Sequence, residues 1–315
     1  MEDVELSICD ISEGLLEKLQ KTYKISSIYS SWNNIDLEQF DIVVISTPAH
    51  LHISMINDAL EANCHVLCEK PLSLSLDGIE RAIALSHQKN KIVGVAYIYR
   101  SMPALSLLRE RIVSGEIGDV KSVTFVVGSD YSFFRPDYKE IYYSDLNKGG
   151  GALYDAVSHM INYVEWCLGP TESIYCMARH LVLADVDVED TVGCVLTFAD
   201  SEAIGTLSLN QFQRAYGMMF EFAGTEGMLK FEGLSHSIGI CREPHREFTW
   251  SEKMNLNRDE YHKLQFEKFF RSVDNHEPFI CTLEDAEMTT RTILAAHESV
   301  RHRRPILVLD CARTS

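Results

Sequence analysis

The sequence predicts an α/β protein: an incomplete, doubly wound parallel sheet followed by an α+β domain with a mostly antiparallel sheet. Three observations carry this. The first third alternates short apolar strands with helical stretches, the pattern of a parallel sheet covered by helices. Beyond about residue 118, long β-branched and aromatic segments follow one another with little helix between them. At 315 residues and 46% hydrophobic content the chain is long for one core and can build two, which sets the domains at 1–118 and 119–315.

In order along the chain, 6–10 reads as a strand ending in Asp10, and Ser12 caps a helix whose apolar face carries Leu15, Leu16 and Leu19. A buried strand at 41–46 leads into Thr47-Pro48, and helical sequence runs over 52–62. Strand 65–68, helix 76–88 and strand 91–97 complete the alternation. In the second half, 120–127, 173–183, 191–198, 203–212 and 218–223 read as strands, with a hairpin turn at 199–202. Leu153, Val157, Met160, Ile161 and Val164 recur at helical spacing over 151–167, and Gly169-Pro170 stops that run. Two later helices fit 259–273 and 283–301.

A net charge of −17 argues against a nucleic-acid partner and leaves small neutral or phosphorylated ligands. No apolar run approaches the roughly 18 to 20 residues of a membrane span, and Met1-Glu2-Asp3 is acidic where a signal peptide is basic, so the expectation is cytoplasmic with no membrane partner. The nine cysteines are scattered without a CxxC pair and read as reduced core residues, Cys64 and Cys68 included. Arg301-His302-Arg303-Arg304 reads as a solvated helix end.

The chemistry begins at Glu69-Lys70-Pro71, on the carboxyl end of strand 65–68, where open α/β sheets bind ligands. Asp155 and His159 lie four apart on one helix face, behind the Gly149-Gly150-Gly151 run that allows close backbone approach. Thr47-Pro48 with His52, then Glu69-Lys70-Pro71, then the glycine triplet leading to Asp155-x-x-x-His159 form an ordered set. With Tyr99-Arg100, Gly115-Glu116-Ile117-Gly118, Val188-Glu189-Asp190-Thr191 and Gly224-Thr225-Glu226-Gly227, the set resembles the glucose-fructose oxidoreductase / inositol dehydrogenase (Gfo/Idh/MocA) family from Leu6 to about Pro305.

The resemblance implies a Rossmann-like dinucleotide domain and an NAD(P)-dependent oxidoreductase that moves a hydride between nicotinamide and a secondary hydroxyl of a sugar, cyclitol or nucleotide sugar. It implies Lys70, Asp155 and His159 as catalytic, with Lys70 hydrogen-bonded to the reacting hydroxyl, His159 as general acid/base and Asp155 orienting sugar hydroxyls. Glu69, Thr47, Pro48 and His52 would line the nicotinamide side. Asp10 would accept from the adenosine ribose, favouring NAD while leaving NADP possible. Tyr99, Arg100 and Arg214 are candidates on the substrate side, the arginines for a phosphate or carboxylate. Segments 133–136 and 141–143 could form a loop over the pocket. No metal is called for, and a homodimer or homotetramer through the second domain's sheet is expected.

One departure stands out. Asp10 is only nine residues from Met1, leaving no room for the strand and G-x-G-x-x-G loop that place pyrophosphate on a helix end. The expectation is therefore a truncated or decayed first domain with impaired cofactor binding, and strands beside the gap without ladder partners. Two alternatives stay open: a catalytically silent sugar-binding or subunit-partner protein, and a metal-dependent hydrolase using His50, His52, Asp155 and His159.

Overall fold

The computed structural model describes residues 4–254 and 256–309. Met1-Glu2-Asp3, named above, and Cys311, the ninth cysteine, lie outside the described residues.

The first domain runs β1 (Ser7–Cys9), α1 (Glu13–Thr22), β2 (Ser27–Tyr29), β3 (Ile42–Ile45), α2 (His52–Glu61), β4 (His65–Cys68), α3 (Ile79–Lys89) and β5 (Val93–Val95). Its strands are all parallel, in two separate ladders: β1 with β2, and β3–β4–β5. No ladder joins β1 to β3, the interruption expected from the sequence, and Val44 on β3 is 48% exposed. β4 is buried at every position because it is central in its triplet, which explains its unbroken apolar sequence. Ser12 caps α1 by accepting from Leu15 N, as its sequence position predicts.

Helix α4 (Pro103–Val113) crosses to the second domain: β6 (Val120–Asp130), α5 (Tyr131–Phe134), α6 (Ser158–Leu168), β7 (Thr171–Arg179), β8 (Thr191–Phe198), β9 (Ser201–Asn210), β10 (Phe212–Gly224), β11 (Gly227–Glu232), β12 (Ser237–Arg242), β13 (Thr249–Trp250), α7 (Arg258–Asn275), α8 (Leu283–His302) and β14 (Ile306–Leu307). Nine strands form one sheet in the order β13-β12-β11-β10-β6-β9-β8-β7-β14, antiparallel except for the central β6–β9 pair. One face packs on α4, α6 and α8; Val126, Met177, Val195 and Ile204 remain exposed on strands of this sheet. No described helix is long and apolar enough to cross a membrane. All eight described cysteines are free, six of them buried, while Cys9 is exposed and Cys241 half-buried.

Core membership does not follow residue 118. Leu105, Leu108 and Ile112 of α4 pack with the second sheet, while Phe269, Phe279, Cys281, Leu283 and Ala286 join the first core. Phe279 sits where a side chain on Gly94 would lie, 2.4 Å from an ideal Cβ, and Val95 N donates to Cys281 O at 3.0 Å. The apolar stripe of α4 thus finds its partner in the later sheet.

Candidate active site

A cleft of about 730 Å³ opens where the carboxyl ends of β3, β4 and β5 face the second domain. Three strand exits supply one wall: Thr47 and Pro48 after β3, Glu69 and Lys70 after β4, Tyr99 after β5. The opposite wall comes from α5, the segment between it and α6, α6 itself, β10 and α7, bringing Asp155, His159, Tyr131, Tyr142, Tyr216, Tyr261 and His262 to the same space.

Asp155 reaches it because the backbone before α6 winds into a π-helical turn, Leu153–Val157, an irregularity frequent at functional sites. The glycine triplet makes this start possible. A Cβ on Gly150 would lie 2.2 Å from the Tyr143 carbonyl oxygen, and Gly151, at φ +87°, has the Glu189 carboxylate where a side chain would go. Glu189 in turn accepts from Leu153 N at 2.9 Å, holding the end of the turn.

Lys70 Nζ donates to Asp155 twice, to the carbonyl oxygen at 2.6 Å and to Oδ1 at 3.0 Å. Tyr142 Oη donates to the same Oδ1 at 2.8 Å. Burial pushes the Asp155 carboxyl up, but the Lys70 ammonium and the Tyr142 hydroxyl outweigh it, so the group sits below the usual carboxylate range and stays ionised. His159 lies between Tyr97, edge-on at 5.7 Å, and Tyr99, at 5.0 Å. Burial, and then the Lys70 charge, push its imidazole down to about 3, so the ring is neutral. Its Nδ1 is enclosed with no hydrogen-bond partner.

The structure therefore gathers Lys70, Asp155, His159, Thr47, Pro48, Glu69 and Tyr99 around one cleft, and corrects three other assignments. His52 does not line it: 1% exposed, it sets Nδ1 2.9 Å from Pro71 O and Nε2 2.8 Å from Thr47 O, bracing two strand exits from behind. Arg100, also 1% exposed, turns away into an ion pair with Asp285 at 2.9 Å and bonds to Asn162 and Ile280, because the turn after β5 points it at α6 and α8. Arg214 is exposed off the cleft, since the β10 register shifts between Phe212 and Gly217 and it is Tyr216 that turns inward. Asp10 ends β1 away from this cleft, its carboxylate accepting from Ser12 N at 2.7 Å.

The metal alternative is not assembled. His52 has both ring nitrogens on carbonyls, His50 lines a separate groove, and no group of three or more His, Cys, Asp or Glu suited to a metal occurs among the described residues. Residues that sequence reading missed or left vague are Tyr131, Tyr142, Tyr261, His262 and Glu189. The aromatic density of 131–143 was the available signal for the first two.

The donor set fits the nicotinamide end of a dinucleotide: small and polar strand-exit residues, Glu69 with its carboxylate on Lys70 N at 3.2 Å, and an ammonium and a neutral imidazole across from them. A parallel α/β half feeding its strand ends into such a cleft, faced by a sheet domain that supplies acid and imidazole, defines a two-domain oxidoreductase of the dinucleotide-binding type.

Comparison with known proteins agrees. Residues 5–97 match the family model described as the oxidoreductase family with an NAD-binding Rossmann fold, and residues 105–230 match the GFO/IDH/MocA C-terminal domain. An uncharacterised oxidoreductase of Synechocystis sp. is 31% identical over 231 residues, covering 68% of this chain and 62% of that protein. Levoglucosan dehydrogenase of Pseudarthrobacter phenanthrenivorans is 26% identical, covering 71% and 64%. Myo-inositol 2-dehydrogenase of Thermotoga maritima is 23% identical over 95% and 90%. The first two matches span less than two thirds of those relatives' length. A solved levoglucosan dehydrogenase in complex with NADH superposes with a TM-score of 0.88 at 22% identity, over 97% of this chain and 90% of that one, a likeness of fold. The chain belongs to the Gfo/Idh/MocA oxidoreductase family, and its first domain is of the NAD-binding Rossmann type.

Proposed function

We propose that this chain is an NAD-linked dehydrogenase, with NADP as a possible substitute, acting on a secondary hydroxyl of a sugar, cyclitol or nucleotide sugar. The observation that supports it is the convergence of Lys70, Asp155 and His159 with Thr47, Pro48 and Glu69 in one cleft. The names of relatives acting on levoglucosan and myo-inositol point to the same substrate class.

In this reading Lys70, oriented by Asp155, donates a hydrogen bond to the substrate oxygen and stabilises negative charge building there. Asp155 itself is occupied by Lys70 and Tyr142, so its first task is to hold the ammonium and its second to meet a neighbouring hydroxyl. His159, neutral because it is buried, takes the hydroxyl proton at Nε2, the ring nitrogen that is not enclosed. Bound NAD supplies the hydride acceptor. Tyr99, Tyr131, Tyr142 and Tyr216 offer flat faces and hydroxyls to a pyranose or cyclitol ring. The exposed sheet residues Val126, Met177, Val195 and Ile204 support a homodimer or homotetramer.

The interrupted first-domain ladder favours one second reading, a sugar-binding protein without turnover. Calorimetry with NADH, combined with cofactor reduction assays over a sugar and cyclitol panel, separates the two. NADH binding with reduction of NAD supports the dehydrogenase; sugar binding without either rejects it.

A further inference from the structure

The cleft holds three cationic side chains in a protein of net charge −17. Lys70 is engaged by Asp155 at 3.0 Å, and Lys148 by Asp145 at 3.4 Å. Arg135 lines the same cleft, and among the described residues its guanidinium makes no hydrogen bond or ion pair. It comes from the rim segment that follows α5 and lies close enough to Tyr131 and Tyr142 for its charge to act on both phenols. Tyr142 is bonded to Asp155, and Asp155 to Lys70, so a phenol within reach of the Arg135 charge also touches the pair at the proposed reacting centre. Beside it the rim shows two exposed aromatic residues, Phe133 at 76% and Phe134 at 59%, packed edge to face at 5.3 Å, and Phe134 also lines the cleft.

From this we infer that the substrate carries an oxyanion, a carboxylate or a phosphate, which docks on Arg135 while its carbinol sits at Lys70 and His159. A guanidinium is the side chain best matched to such a group, offering planar paired donors. A neutral sugar would leave it without a counter-charge. The acidic groups of the cleft do not take that place: Asp155 is held by Lys70, Glu69 accepts from Lys70 N, and Asp137, two residues along the rim, makes no ion pair with Arg135. Arg135 stands on the second-domain wall with Tyr131 and Tyr142, across from the strand exits bearing Thr47, Pro48 and Glu69, which assigns the anion to substrate instead of cofactor.

This inference rests on the dehydrogenase reading for the identity of the reacting group, but its test stands apart from turnover. The full chain and its Arg135→Gln and Arg135→Lys variants are titrated calorimetrically with NADH, with the neutral probes glucose and myo-inositol, and with the anionic probes glucuronate, glucose 1-phosphate and UDP-glucose. At least one anionic probe should bind about tenfold more tightly than glucose, a modest figure because Arg135 is solvent-exposed. Arg135→Gln should abolish that preference, Arg135→Lys keep part of it, and NADH binding stay unchanged in both. Equal affinity for charged and neutral probes overturns the inference, as does loosened NADH in Arg135→Gln with sugar affinities unmoved, which would place the anion on the cofactor. Binding of no sugar at all also overturns it. Anion preference in a chain that binds no NADH leaves this site standing while the dehydrogenase reading falls.

Discussion

Two ion pairs made by a lysine or an arginine join the domains among the described residues, and they have opposite characters. In each, a cation just beyond a first-domain strand meets an acid on a second-domain helical segment: Lys70 after β4 with Asp155, and Arg100 after β5 with Asp285. Around Arg100 everything is saturated. Its guanidinium also donates to Asn162 Oδ1 at 2.8 Å and to Ile280 O at 2.9 Å, and lies 5.3 Å over the Trp166 ring. Neighbouring Glu165, though pushed up by burial, is satisfied by the hydroxyls of Thr171, Thr289 and Thr292. Around Lys70 the arrangement is left open, with a cleft on one side and a neutral imidazole beside it. A buried ion pair fastens when all its valences are met and acts on a ligand when some are withheld.

That contrast breaks most sharply by exchange of effects. Lys70→Met should lower turnover by roughly a hundred- to a thousand-fold, the range for removing a donor that stabilises negative charge developing on the reacting oxygen. Its melting temperature should move little, because Asp155 borders the cleft and water can replace the ammonium; steady-state kinetics beside differential scanning calorimetry reads both. Arg100→Ala should do the reverse. It strands the buried Asn162 Oδ1 and the Ile280 carbonyl and costs about 3 kcal/mol of stability by chemical denaturation, with turnover per folded molecule within a few-fold of the parent. Collapse of activity without a stability change would assign Arg100 to the substrate after all.

Imidazoles sharpen the comparison through pH. His297, half-buried on α8 with its Nε2 enclosed, is pushed down to about 4 from 6.5, chiefly by burial. The unfolded chain therefore binds the extra proton between those values, and stability present above 6.5 is lost as pH falls toward 4, by roughly 3 kcal/mol at most. His297→Gln should flatten that slope, measured as urea midpoints across the interval; an unchanged slope would acquit His297. Smallest is Tyr142→Phe, which removes one bond to Asp155 and should reduce kcat about fivefold while leaving stability nearly unchanged.

The sequence carried the elements with strong periodicity. β3, β4, α2, α7 and α8 lie within about two residues of the readings from apolar spacing and caps. Short pieces went unread: β2 has three residues, and β11 and β12 look from within like loop punctuated by glycine. That Lys70, Asp155 and His159 meet in one cleft was legible because strand exits and i, i+4 spacing are local rules. Arg100 and His52 were misread because burial is decided by α6, α8 and two carbonyls far away in sequence. Tyr261 and His262 were invisible for the same reason, since nothing near them hints that α7 begins beside the cleft.

The crossing of the cores has a mechanical consequence. Phe269, Phe279, Cys281 and Leu283 are sewn into the first domain, and the stripe of α4 into the second, so each half completes its core with a piece of the other. Pulling the halves apart would uncover both interiors at once. Such a molecule should melt as one body, read by calorimetry as a single transition.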